Sequence, residues 1–153
     1  MTHISELVAE ATAAAPAWRR CTREQALVYA CEDVAERESP ARVLDPDGIR
    51  GFVENACLEE DIDVPYVEIV RSSRRCRGWA EHTSRTLAFS GRSVSLHTVV
   101  HEISHLLAPE DGHGPLFRNE LVRLSRRHAG VEHASLLHSL FRGVGLDVSP
   151  WVA

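Results

Sequence analysis

The sequence predicts an α+β protein, with a small antiparallel or mixed sheet packed on one central helix and several further helices around it. Three observations lead there. Apolar residues recur every three or four positions through both ends of the chain, the period of an amphipathic helix. Short runs of β-forming residues are confined to the stretch between Tyr66 and Ser90. Directly after them, Leu96, Val99, Val100, Ile103, Leu106 and Leu107 make one apolar stripe along a helix, with polar residues opposite.

In chain order, Ile4, Leu7, Val8 and Ala11 space the first helix, with Thr2 as its expected cap and Pro16 following its end. Thr22-Arg23-Glu24-Gln25 is a capping-box start for a second helix. Leu27, Ala30, Cys31 and Val34 are its buried face, and it stops before Ser39-Pro40. Asp45-Pro46 opens a third by the cap-then-proline rule, with Ile49, Phe52, Val53, Ala56 and Cys57 inward. Glu59-Glu60-Asp61-Ile62-Asp63 is a solvated loop without the spacing of a calcium loop. Tyr66 to Val70 is a strand, and Gly78 to His82 with Arg85 to Ser90 is a hairpin around Thr83-Ser84. The basic run Arg71 to Arg77 between them reads as an exposed turn; a contact for an anionic group is the functional alternative. Ser93 or Ser95 caps the helix that follows, and Pro109 stops it at about Ala108.

Pro115 suits the first turn of a new helix, spaced by Phe117, Leu121 and Leu124 and ended by Gly130. Arg118, Arg123, Arg126 and Arg127 fall on its outer, solvated face. A last helix runs near Glu132 to Arg142, with Leu137, Leu140, Phe141 and Val144 inward, and Trp151 in the tail can pack back. No repeat or linker marks a second domain. One domain over 1–153 is expected, with a helical part at about 1–62, the sheet and central helix at about 66–114, and C-terminal helices at about 115–145.

Composition narrows the function. The 153 residues are 44% hydrophobic and 25% charged, ordinary for a globular chain. The net charge of −5 gives no general affinity for nucleic acid. All 17 basic residues are arginine, which excludes lysine-based chemistry. Cys21, Cys31, Cys57 and Cys76 have no metal-site spacing and are expected as reduced thiols, mostly on apolar helix faces. There is no signal-peptide pattern and no apolar stretch of membrane-spanning length, so a cytoplasmic protein without membrane contact is expected. Oligomeric state is left open.

The chemistry lies on the central helix, in His101-Glu102-x-x-His105. Residues four apart sit one turn above each other, so both imidazoles can reach one metal ion at about 2 Å. Glu102 is rotated by about 100° from His101, beside the ion, where it can take a proton from a metal-bound water. The two histidines lie opposite the apolar stripe, as on a helix that lines a cleft. A catalytic zinc takes three protein ligands and leaves a fourth position to water. His113, flanked by Gly112 and Gly114 in the bend after the helix, is the leading third ligand; Glu110, Asp111 and Glu120 compete with it.

His101-Glu102-x-x-His105 followed by Gly112-His113-Gly114-Pro115-Leu116-Phe117 resembles the zincin metallopeptidases. The likeness is strongest to small SprT-like and WLM-like members, and extends to small metallohydrolases of actinobacteria and their phages. It covers about Arg85 to Arg127. Metzincins are excluded, because Ala108 stands where they need glycine, seven residues separate His105 from His113, and the only methionine is Met1. The Cys-x-x-Cys zinc ribbon common in SprT-type proteins has no counterpart here. The resemblance implies a zincin-like fold and a Zn2+-dependent hydrolase, most simply a peptidase acting on a peptide or protein. Its metal ligands would be His101, His105 and His113, with Glu102 as general base. It also implies a strand before the helix that borders the cleft and can pair with an extended peptide, so His82 on the hairpin is a weak substrate-binding candidate. Arg118, the arginine nearest the motif, is another. His97 reads as a polar first-turn residue, with a supporting or ligand role as the alternative. His3, His128, His133 and His138 read as surface or cap residues. Two other functions stay open: an inert zinc-stabilised interaction domain, its site closed by Asp111 or His97, and a DNA-associated SprT-like protease using the arginine-rich turn.

Overall fold

The computed structural model describes residues 2–71 and 78–152. It is α+β, with six α-helices, one 3-10 turn and two small sheets among the described residues. The chain forms two compact units: Ala41–Pro109, and Met1–Pro40 together with Glu110–Ala153. The third helix groups with the sheet, and the first two group with the C-terminal helices.

The all-helical unit holds α1 (Ile4–Ala14), a 3-10 turn (Ala15–Ala17), α2 (Arg23–Glu38), α5 (Pro115–His128) and α6 (Val131–Gly143). His3, not Thr2, caps α1: its Nδ1 accepts the Ser5 N–H at 3.3 Å, and the Glu6 carboxylate accepts the His3 N–H at 3.3 Å. α2 begins with the predicted capping box, Thr22 Oγ1 accepting from Gln25 N at 3.2 Å and Gln25 Oε1 from Thr22 N at 3.1 Å. α2 packs on α1 and α6, and α6 also packs on α5. Their shared core contains Leu7, Leu27, Val28, Cys31, Val34, Phe117, Leu121, Leu124, Leu137, Leu140 and Phe141, all buried. Each such leucine or phenylalanine stabilises the fold by about 1.5–3 kcal/mol.

The segment after α6 has no regular structure but is held by side chains of α5 and α6. Asn119 Oδ1 accepts from Ser149 N at 2.7 Å, and His138 Nε2 meets Ser149 O at 2.8 Å. Trp151 packs back as expected, 5.6 Å from the His138 ring and beneath the Arg126 guanidinium at 5.0 Å. His133 and His138 are buried, contrary to the surface reading.

The α+β unit holds β1 (Val43–Leu44), α3 (Pro46–Glu59), β2 (Tyr66–Val70), β3 (Gly78–Glu81), β4 (Thr86–Ser90), β5 (Val94–Ser95) and α4 (Leu96–Leu107). Asp45 caps α3 as predicted, Oδ1 accepting from Gly48 N at 2.7 Å. β4 is central in the three-stranded sheet, order β2-β4-β3. It runs parallel to β2 (Tyr66 beside Thr86, Val70 beside Ser90) and antiparallel to β3 (Gly78 beside Phe89, Glu81 beside Thr86). Flanked on both sides, Leu87, Ala88, Phe89 and Ser90 are all buried. A second, unpredicted pair joins β1 to β5, Val43 opposite Ser95 and Leu44 opposite Val94. It leads directly into α4, whose cap is Ser95, its Oγ accepting from Thr98 N at 3.3 Å. α4 packs on β3 and α3, and its Val99, Val100 and Ile103 are buried.

Cys31 and Cys57 are free thiols on the buried faces of α2 and α3, and Cys21 is free and half-buried. Cys76 and most of the basic turn predicted at Arg71 to Arg77 lie outside the described residues. Among the described residues, no helix is long and apolar enough to cross a membrane.

Candidate metal centre

α4 carries two of the three expected ligands. Its backbone is continuous from Leu96 to Leu107, so His101 and His105 stand one turn apart. Their rings lie 5.0 Å apart at 69°, and the two Nε2 atoms face each other at 3.2 Å. Two nitrogens bound to one tetrahedral zinc at 2.0–2.1 Å are about 3.3 Å apart, so this pair already has the spacing that a shared cation needs. One hydroxyl of the same helix is satisfied locally, Ser104 Oγ donating to Val100 O at 2.8 Å.

The helix is enclosed beyond what its apolar stripe requires. His97, His101, Glu102 and His105 are all buried, at 8, 6, 5 and 9% exposure. The histidine side is therefore covered instead of open to solvent. His97 stands in the first turn of α4, as expected, and is buried there. Leu106 and Leu107, at the end of the stripe, are only half-buried.

Glu102 is fixed against the neighbouring strand. Gly78, at the start of β3, presents its bare Cα to that carboxylate: a Cβ there would lie 3.0 Å from both Cγ and Oε1 of Glu102, and 3.2 Å from Phe89 Cδ1. A side chain on Gly78 would thus press on Glu102, which would have to give by a few tenths of an ångström. The sequence reading took Gly78 only as the start of a strand. The signal was available in a glycine opening a β-run, which often marks close approach by another group.

His113 lies in the bend before α5. Gly112 has φ +59°, a conformation that only glycine adopts freely. Gly114 serves differently from expected. Its φ of −73° is ordinary, but a Cβ there would lie 2.6–2.8 Å from the Asp111 carboxylate. That carboxylate bends back over Gly114 to accept the Phe117 N–H at 3.0 Å, supplying the cap that Gly114 lacks. The His113 ring is held by Phe117 (centroids 4.9 Å, 71°) and Tyr29 (5.0 Å, 65°), and the residue is 9% exposed.

One ligand nitrogen of each of His101, His105 and His113 lies within 4.8 Å of the other two; the three residues are buried and could hold a metal ion. Their closeness is local, since only seven residues, the end of α4 and the bend after it, separate His105 from His113. Among the described residues this is the only group of the kind, and no carboxylate belongs to it. Asp111 is engaged with α5, Glu110 is exposed, and Glu120 pairs with Arg123 at 2.7 Å.

The weaker substrate candidates separate. His82 is exposed in the β3–β4 turn, its ring 6.2 Å from that of His105 and nearly perpendicular to it. The turn is braced by Glu81, whose carboxylate accepts from Ser84 Oγ at 2.5 Å and from the Thr83 and Ser84 N–H groups at 3.2 Å. These bonds, the Ser84 hydroxyl first, hold Glu81 below the usual carboxylate range. Arg118 is not on the solvated face of α5. It is 2% exposed and faces the protein interior, whereas Arg123, Arg126 and Arg127 are exposed as predicted. It is therefore a buried structural cation and not a ready contact for substrate.

No protein-family model matches the chain, and no curated protein or solved structure shows significant similarity to it.

Proposed function

We propose that the protein is a zinc-dependent metallohydrolase of zincin-like architecture, and that its substrates are peptides or proteins. The observation that carries this reading is a buried carboxylate, Glu102, on the same helical turn as two imidazoles already spaced for one cation, with His113 completing a three-histidine set. A purely structural zinc site has four protein ligands and needs no carboxylate beside it.

Zinc in such a set supplies Lewis acidity, polarising a carbonyl and bringing the pKa of water down to about 7. Glu102 does the proton work. Its Oε takes a proton from the attacking water and hands it to the departing amine nitrogen as the C–N bond breaks. Gly78 leaves room for that carboxylate. Among the described residues β3 is an edge strand beside α4, which supports pairing with an extended peptide there, and His82 follows its end.

The burial of all three histidines favours a second reading, an inert domain stabilised by metal. The two readings part in one experiment. Protein purified without chelator should carry about one zinc per chain, and His101→Ala should carry none. Glu102→Gln should keep the metal and cut turnover on a peptide pool by roughly 10²–10⁴-fold. Zinc-loaded wild type with no turnover above Glu102→Gln supports the inert domain; absence of metal overturns both readings.

A further inference from the structure

We propose that Arg118 is a positioning residue of the metal site, one that fixes His113 through its backbone carbonyl. This rests on the metal-binding reading above and adds a residue to which the motif gives no role. The Arg118 guanidinium is the largest fully buried side chain described. A cation in that position is tolerable only with close partners. Its Nη1 donates to His113 O at 2.8 Å and pairs with the Glu24 carboxylate at the start of α2. Its Nε donates to Asp147 O at 2.8 Å, in the segment after α6.

The His113 carbonyl precedes the α5 cap, so it has no place in the helix ladder. The guanidinium takes it up instead, on the first turn of the helix whose Phe117 packs on the His113 ring. Backbone and ring are thus held from the same helix. Arg118 also joins three pieces distant in sequence: the bend, the start of α2 and the C-terminal segment. Five donors in a rigid planar fork can serve all three at once; the ammonium of a lysine is a single point on a flexible stem. Groups that orient a metal ligand typically matter by 10–100-fold in affinity, roughly the effect expected here.

The test is zinc affinity by competition with a chromophoric chelator, together with the visible absorption of the cobalt-substituted protein, which reports ligand geometry. R118A should bind zinc at least about tenfold more weakly and show an altered cobalt spectrum. R118K should fall between R118A and wild type. N119A is the control, because Asn119 holds the same C-terminal segment through Ser149 without touching His113; it should match wild type in both measurements. If R118A does not fold, R118K alone decides: wild-type affinity and spectrum in R118K would overturn the proposal. So would equal losses in R118A and N119A, which would mean general loosening. If wild type binds no zinc, or H101A binds as wild type does, the metal reading itself fails and takes this one with it. If wild type binds, H101A does not, and R118A is unchanged, only the role of Arg118 fails.

Discussion

A methyl group added at Gly78 would meet Glu102 Cγ and Oε1 at 3.0 Å and the Phe89 ring at 3.2 Å. The ring is locked in the sheet core, so the carboxylate is what must move. Gly78→Ala should therefore leave the zinc content unchanged and lower turnover by roughly severalfold, since the carboxylate must give by a few tenths of an ångström and rate depends steeply on the placement of a reacting group. The stability cost should depend on Glu102. A double-mutant cycle pairing Gly78→Ala with Glu102→Ala should show a coupling of at least about 0.5 kcal/mol, because the second change removes the clashing atoms. Strictly additive costs, or full activity in Gly78→Ala, would reject the close approach as a functional feature.

At the scale of elements, α5 illustrates how a bend that presents a histidine can be built without sacrificing the helix that follows. Its cap position is glycine, and Asp111 serves the Phe117 N–H from three residues further back. Removing that carboxylate with Asp111→Ala should cost about 1 kcal/mol, the usual worth of a helix cap. Gly114→Ala should cost at least as much, because its Cβ would overlap the carboxylate at 2.6–2.8 Å. The double variant should be less destabilised than the sum, since the overlap is gone once Asp111 is shortened. Urea denaturation of the four proteins measures this; additivity would show that the two residues act separately.

At the scale of the whole molecule, each compact unit keeps its own apolar core, and among the described residues each buries one thiol. Burial pushes Cys31 up to about 12, with Glu32 adding to it, from an ordinary thiol value near 9. Burial likewise pushes Cys57 up to about 11, Glu60 adding and Arg85 opposing. The unfolded chain loses these protons first. Between about pH 9 and pH 12 the folded state holds protons that the unfolded state has released, so stability falls as pH rises through that window. The denaturation midpoint should decline above pH 9, and the slope should flatten in a Cys31→Ala/Cys57→Ala variant whatever its absolute stability. In native protein near pH 8, an alkylating reagent should modify half-buried Cys21 before Cys31 or Cys57.

Much of this architecture is legible in one dimension because it is decided within a few residues. The capping box at Thr22 and Gln25, the Asp45-Pro46 start and the Pro109 stop all depend on near neighbours, and each stands where the sequence places it; of Ser93 and Ser95, the two caps the sequence offers for α4, the structure uses Ser95. The same locality made His101, His105 and His113 readable as one group: two share a helical turn and the third follows in a short bend. What the sequence could not yield depends on partners far along the chain. The β1–β5 pair joins residues about fifty apart, and the parallel register of β2 on β4 is set across an intervening strand. Arg118 and Arg123 look alike in a helical pattern, yet one is buried because Glu24 and Asp147 reach it from opposite ends of the chain. Gly78 is a plain glycine until α4 places Glu102 against it. The sequence by itself determined the helices, several of their caps and the three histidines that could hold a metal ion, since hydrogen bonds and periodicity within a turn suffice for those. Only the tertiary structure decided which charged groups are buried and what holds the carboxylate and the third histidine in place, because desolvation and close packing are properties of the whole neighbourhood.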